Sequence, residues 1–322
     1  MLSVTAVVLT YNRRDLVQQC LQALLAQSRP VDRIIVVDNA STDDTAEVLG
    51  GFASDRLAVR RLPENVGAAG GFHEAMRLGH VSGADFVWVM DDDVIPAPDA
   101  LSELLRALDL LDGQGIAAPF VVSCAHDPNG VLTNVPEVDR RTNALAYENW
   151  PHLLEHGLMP VTRSTFVSAL FRRETLERHG LPIAAMFIWG EDTEYTRRVT
   201  RDTPGYLVSR SRVEHVRAVP GTPDIRTEQN ATRIGWHRFH VRNSIYVERR
   251  YAGRRKALNY ARLKCRLALG LLLRGEPRKA LMVAEGIVRG FTFNPDVQPL
   301  PRAEAPDTRV LAEPAAAPPH GA

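Results

Sequence analysis

The sequence predicts an α/β protein built on an open sheet. Strand-length apolar runs alternate with amphipathic helical stretches. Each run also ends, at its carboxyl side, in polar residues of the kind that hold ligands in open sheets. The clearest case is Phe86–Met90 (FVWVM), apolar on both faces as in a doubly buried strand, which stops at Asp91, Asp92 and Asp93.

The elements follow in order. Residues 3–10 (SVTAVVLT) form a first buried strand leading into Tyr11, Asn12 and Arg13. Asp15–Ala26 is a helix with Val17, Leu21, Leu24 and Leu25 on one face. Arg33–Val37 is a second strand closed by Asp38 and Asn39, and Ser41 is the expected N-cap of a helix reaching about Leu49. Leu57–Leu62 is a weaker third strand. In the segment 63–72 (PENVGAAGGF), Gly67, Gly70 and Gly71 open a helix to about Leu78. Their amides suit a phosphate, and close backbone packing explains the same glycines equally well. Neither a GxGxxG nor a GKS/T pattern is present. After the Asp triplet, Pro96 and Pro98 are expected to stop the strand. Pro98–Leu111 then reads as a helix and Ile116–Val122 as a strand. Residues 123–160 are irregular and suit a lid or binding segment. Phe166–Phe171 is extended and Arg173–His179 helical.

Phe187–Tyr195 (FIWGEDTEY) is the second cluster of chemistry. Gly190 frees the backbone, Glu191 and Asp192 start a helix to about Thr200, and the helix dipole is expected to keep Asp192 ionised. Trp189 offers either core packing or a flat face for a sugar ring. Tyr206–Ser209 and Arg212–His215 are two short extended segments, 217–232 a mobile loop, and Trp236–Arg250, Arg254–Leu273 and Pro277–Phe291 helices.

Three adjacent carboxylates at a strand end need a positive partner, and a divalent cation supplies one. Strand alternation puts Asp91 and Asp93 on one side and Asp92 on the other. Oxygen ligands suit Mg²⁺ or Mn²⁺, and His215 is a further candidate ligand. A solvated acidic turn is the bland alternative for the triplet, as dipole-favoured acids are for Glu191 and Asp192.

The formal charge of +1 gives no global polyelectrolyte signal. Cys20, Cys124 and Cys265 have no metal spacing, which suits a reducing compartment. Residues 1–9 lack a basic leader, so no signal peptide is expected. No apolar run approaches a membrane span. From Arg249 to Gly290 there are twelve Lys/Arg against two Glu, interleaved with leucines. This basic amphipathic stretch suits an anionic membrane surface or a packed solvated face; nucleic acid is not the expected partner. The chain divides into a catalytic region 1–232, basic helices 233–293 and a Pro/Ala-rich tail 294–322 expected to be disordered.

In this order the motifs resemble family 2 glycosyltransferases of the inverting glycosyltransferase-A fold. They are Thr10-Tyr11-Asn12-Arg13, VVDNASTDDT at 36–45, Asn65-Val66-Gly67, Asp91–Asp93, Gly190-Glu191-Asp192 and His215. The resemblance covers roughly residues 3–250. It is closer to galactofuranosyltransferases, through the segment 65–72, Ala169–Arg172 (ALFR) and Val241-Arg242-Asn243, although Ala68 replaces one family glycine. Rhamnosyltransferases of the same family, using a dTDP-sugar, share most of these residues.

The resemblance implies a Rossmann-like mixed sheet flanked by helices with a C-terminal helical extension. It implies a nucleotide-sugar donor, UDP-linked for galactofuranose, held by Thr10, Asn12, Arg13, Asp38, Asn65, Gly67, Asp91 and Asp92. Asp91, Asp93 and His215 would hold Mn²⁺ or Mg²⁺. Asp192 would be the general base, with Glu191 orienting it or touching the acceptor, and Trp189 facing the acceptor. The acceptor would be lipid-linked or a glycan, and the enzyme peripheral at the inner face of the plasma membrane; oligomeric state stays open. A nucleotidyltransferase would want a basic glycine-rich signature that Leu9–Arg14 lacks. A non-catalytic sugar-nucleotide binder would be favoured by loss of Glu191-Asp192, which are present.

Overall fold

The computed structural model describes residues 2–52, 54–217, 221 and 223–300. Strands β1 (Val4–Thr10), β2 (Arg33–Asp38), β3 (Leu57–Arg61) and β4 (Phe86–Asp91) form the parallel half of the sheet. They are followed by β5 (Val94–Pro96), β6 (Phe120–His126), β7 (Glu137–Val138), β8 (Leu158–Arg163), β9 (Ala169–Arg172) and β10 (Gly205–His215). The ten-stranded sheet runs β3-β2-β1-β4-β9-β6-β10-β8-β7, with β5 beside β10. β9 is antiparallel to both β4 and β6, so the sheet is mixed.

Helices α1 (Arg14–Leu25) and α2 (Thr45–Gly50) follow β1 and β2. The others are α3 (Gly67–Val81), α4 (Ala100–Gly113), α5 (Arg173–His179), α6 (Glu191–Val199), α7 (Ala231–Val247), α8 (Arg254–Leu273) and α9 (Pro277–Thr292). One sheet face packs Val8, Met90 and Trp88 against Leu21, Leu24 and Leu104 of α1 and α4. The other packs Val7, Val89 and Phe171 against Met76, Leu176 and Tyr195 of α3, α5 and α6. Every residue of β1 is buried, which is why its sequence is a continuous apolar run rather than an alternating one. Val241, Ile245, Ala261, Leu271, Ala280 and Val283 make a smaller core among α7, α8 and α9.

Several expectations are corrected. Ser41 does not cap a helix: its N–H is held by Asp38 and its hydroxyl by the Asn12 N–H, and α2 starts only at Thr45. The strand does not end at the prolines. After a turn at Asp92-Asp93 the chain re-enters the sheet as β5, antiparallel to β10 alone, an edge position where the missing proline N–H costs nothing. The Phe166–Phe171 strand starts later, at Ala169, because Ser168 has φ +56°. The two short segments near His215 are one strand with a register shift between Val208 and Arg212. The Ile116–Val122 strand starts later, at Phe120.

α7 starts earlier than expected. The Asn230 side chain accepts the Thr232 and Arg233 N–H groups, and the helix passes into a π-helical turn at 248–252. In the expected mobile loop, 218–220 and 222 lie outside the described residues, whereas Ile225 is buried against the C-terminal helices. The expected disorder from Asn294 is wrong for 294–300. Leu181 N–H donates to the Gln298 carbonyl (3.2 Å), and Leu300 is buried on the α3 face. Residues 301–322 lie outside the described residues.

Candidate active site

The parallel register gathers polar strand ends on one edge. Thr10 pairs with Asp38, and Leu9 pairs with Asp91. Beyond Asp91, strand alternation breaks down because the chain turns, so Asp92 and Asp93 do not point apart. Both converge on Arg13, whose Nη1 donates to Asp92 Oδ1 (2.9 Å) and Asp93 Oδ2 (2.7 Å). Thr10 Oγ1 donates to Asp92 Oδ2 (2.7 Å). Arg13, expected beside the nucleotide, thus offsets much of the triplet's repulsion. Burial, partly offset by the Arg13 charge, leaves Asp92 pushed up to about 6. Burial, then the charges of Asp93 and Asp92, raises Asp91 well above the usual carboxylate range. Against the cost of burial, His215 and Arg13 hold Asp93 below it.

The β5–β10 pairing sets His215 opposite Val94, so its Nε2 lies 3.2 Å from Asp93 Oδ1. Its Nδ1 meets Asn134 Oδ1 at 2.9 Å, and Asn134 Nδ2 donates to Thr165 Oγ1 (3.2 Å). With the amide oxygen placed toward the ring in this way, the matching tautomer carries its proton on Nδ1. In the neutral ring Nε2 then presents a lone pair to Asp93 Oδ1, a buried oxygen with no hydrogen-bond partner. Two such acceptors repel unless a proton or a metal ion stands between them. An imidazole nitrogen beside carboxylate oxygens, with its second nitrogen held by a side chain, is a donor set that fits Mn²⁺ or Mg²⁺. Among the described residues, no three His, Cys, Asp or Glu side chains are gathered as a ready-made cage.

On the β2 side, Asp38 is buried; its Oδ2 makes no hydrogen bond and has Arg61 Nε as an ion-pair partner at 3.7 Å. Asn12, at φ +53°, accepts the Thr42 N–H through its side-chain oxygen (2.7 Å). Asn65 and Gly67 are tied to Asn39 instead of standing free: Asn39 Nδ2 donates to Asn65 Oδ1 and to the Gly67 carbonyl, both 3.1 Å. Gly67 has φ +75°, and a Cβ there would fall 2.1 Å from the Phe187 carbonyl oxygen. Close backbone packing therefore accounts for this glycine.

At the start of α6, Gly190 has φ +129°, a conformation side-chain-bearing residues rarely adopt. Glu191 is buried and its Oε2 has no partner. Burial, then the charge of Asp192, raises its carboxyl well above the usual range. Asp192 Oδ1 accepts the Thr193 N–H (2.5 Å). The expected dipole effect does not win here, because burial outweighs that amide and raises Asp192 as well. Trp189, at φ +59°, packs against His237 with ring centres 5.0 Å apart and against Trp236 at 6.2 Å. A cavity of about 390 Å³ opens between these elements, lined by Arg163, Trp189, Asp192, Thr193, His240 and Ser244 among others. Burial pushes His240 down to about 4, so at neutral pH it is an uncharged hydrogen-bonding ring.

The family model for glycosyl transferase family 2 matches residues 5–178, more than half the chain. The chain belongs to glycosyl transferase family 2. Among its relatives, the galactofuranosyltransferase GlfT1 of Mycolicibacterium smegmatis is 31% identical over 208 residues. The protein of that name in Mycobacterium tuberculosis is 36% identical over 208 residues. Each alignment takes in 62% of this chain and 65% of the relative, so the match spans just under two thirds of the relatives' length. Among solved structures, GalNAc-T7 with UDP, GalNAc and Mn²⁺ superposes with a TM-score of 0.54 at 13% identity, over 77% of this chain and 50% of that one. The chain thus carries a glycosyl transferase family 2 domain on the glycosyltransferase-A type of sheet that the sequence predicts.

In this family 2 chain Asp93 and His215 meet directly, and Thr10, Arg13 and Asp92 form the network beside them, next to Asp91 at the end of β4. Trp189 and Asp192 line the cavity with Glu191 buried beside Asp192, while Asn12, Asp38, Asn65 and Gly67 lie on the β2 side of the sheet edge. Asn134, Thr165, Arg163 and His240 were not foreseen. Asn134 sits in the irregular segment, 81 residues from its partner His215, and no local pattern marks it.

Proposed function

We propose that this family 2 glycosyltransferase transfers galactofuranose from UDP-galactofuranose to a hydroxyl of a lipid-linked or glycan acceptor during cell-envelope polysaccharide synthesis. The observation that carries the reading is the placement of Asp192. It borders the cavity beside Trp189, yet lies close enough to Asp91 at the sheet edge for its charge to raise that carboxylate further. In this reading Asp38, Asn12 and the end of β1 hold the nucleoside. Asp91, Asp93 and His215 would hold a divalent ion, which would neutralise the departing diphosphate. Asp192 takes the proton from the acceptor hydroxyl as that oxygen attacks the anomeric carbon. Glu191, whose burial favours the uncharged form, orients Asp192 or donates to the acceptor. Trp189 presents an apolar face to the acceptor ring, and neutral His240 offers it a hydrogen bond.

The relatives' names support galactofuranose, and the GalNAc-T7 structure, which holds UDP and Mn²⁺, supports a nucleotide donor with a metal. Purified protein with Mn²⁺ and a panel of nucleotide-sugars should release nucleoside diphosphate fastest from UDP-galactofuranose. Release from a dTDP-sugar alone would move the assignment to rhamnosyl transfer.

We further propose peripheral attachment to anionic membrane, which brings the site to a lipid-linked acceptor. Among the described residues no helix is long and apolar enough to cross a membrane. On α8, however, Leu258, Leu269, Leu272 and Leu273 are exposed among basic residues, as are Leu281 and Val288 on α9. The protein should float with phosphatidylglycerol vesicles at low salt and be released by added salt. Failure to bind them at any ionic strength removes the membrane role.

A further inference from the structure

Three of the four residues leading into the acidic helix hold left-handed backbone: Phe187 at φ +62°, Trp189 at +59° and Gly190 at +129°. Bulky aromatic residues rarely adopt this conformation unless the surroundings impose it. The imposing groups come from α7. Asn243, fully buried, aims its Nδ2 at three carbonyls of this loop: Met186 at 2.9 Å, Ile188 at 3.0 Å and Trp189 at 3.0 Å. Arg242 Nη2 donates to the Ala185 and Met186 carbonyls at 2.8 and 3.1 Å. Arg242 Nε also donates to Asn243 Oδ1 (3.0 Å), which turns the amide so that its NH₂ faces the loop. From the other side, Ala69 N–H at the start of α3 donates to the Phe187 carbonyl (2.9 Å). The loop is thus held between α3 and α7, and α6 begins directly from it, with Glu194 N–H donating to the Gly190 carbonyl.

We propose that Asn243, supported by Arg242, is a positioning residue for transfer: it fixes the 186–190 backbone so that Asp192 meets the acceptor hydroxyl in reacting geometry. This rests on the reading of Asp192 as the base. A misplacement of about 1 Å in a reacting group costs about 10²-fold in rate. The clamp touches carbonyls and not the strand ends assigned to the nucleotide, so its loss should act on turnover and not on donor binding.

The test uses the full chain with Asn243→Ala, Arg242→Lys and, in parallel, Asp192→Asn. Three quantities are read: transfer kcat, KM for the donor, and hydrogen exchange of the Ala69 amide, which reports on the loop without any assay of activity. Asn243→Ala should lower kcat about 10²-fold, leave donor KM within about twofold, and speed exchange at Ala69 while the β1 and β4 amides stay protected. Arg242→Lys, which keeps one cationic donor, should show the same pattern more weakly, and it decides the matter if Asn243→Ala does not fold. Unchanged kcat in a folded Asn243→Ala, with Asp192→Asn inactive, overturns the positioning role and leaves the base intact. Loss of donor affinity and of protection throughout the sheet also overturns it, since Asn243 would then be a general structural residue. Full activity in Asp192→Asn removes the base itself.

Discussion

Asp192→Asn should transfer sugar about 10²–10⁴-fold more slowly than the wild type, the usual effect of losing a general base. The amide keeps the size of the carboxylate and can still accept the Thr193 N–H, but it cannot take a proton. Donor affinity, measured calorimetrically with UDP, should hardly change, because the proposed nucleotide contacts lie at the ends of β1 and β2. Glu191→Gln should be far milder. Burial and the neighbouring Asp192 already favour the uncharged form of Glu191, and glutamine is a neutral group of the same shape. The pH dependence follows from the raised carboxylates. A base must be deprotonated to act, and burial raises Asp192. The rate should therefore fall on acidification at a pH above the ordinary aspartate value of about 3.9. Because Asp91, Glu191 and Asp192 influence one another, that limb belongs to the cluster and not to one residue. Normal transfer by Asp192→Asn together with a dead Glu191→Gln would mean that the two roles are reversed.

Asp93→Ala should abolish metal-dependent transfer and lower Mn²⁺ affinity by at least about tenfold, the scale on which even a change outside the direct ligands acts. The substitution deletes the carboxylate oxygen that faces His215 Nε2 at 3.2 Å. The fold should survive it. Asp93 lies in neither hydrophobic core of the sheet, Arg13 keeps Asp92 as a partner, and one of three mutually repelling carboxylates is gone. Titration with Mn²⁺ beside a transfer assay separates the outcomes. Metal-dependent turnover near the wild-type rate in this variant would remove Asp93 from the metal site.

Much of the fold was legible because its strands are buried on both faces. β1, β2 and β4 read as continuous apolar runs, and the polar residues that follow each one mark the sheet edge that carries the site. Helices with a clear stop were equally readable. Gly180 ends α5. What failed depended on contacts remote in sequence. Alternation of Asp91–Asp93 needs an extended chain, whereas the turn that rejoins the sheet as β5 requires β10, about 120 residues later. Nothing local in the sequence shows that Arg13 reaches Asp92 and Asp93. The helix-dipole argument for Asp192 used only its position at the start of α6; burial beside Glu191 and Asp91 is a tertiary property and outweighs it. Asn243 was visible as part of a family-like pattern, but its role comes from the strained loop it meets across 54–57 residues of chain.

Transfer in this reading is a single displacement at the anomeric carbon, with Asp192 taking the acceptor proton and no covalent sugar–enzyme intermediate. The anomeric configuration of the transferred sugar, read by NMR on product made from a donor of known configuration, tests it most directly. Inversion is expected, so that an α-linked nucleotide-sugar gives a β-glycoside. A product that retains the donor's configuration would contradict it.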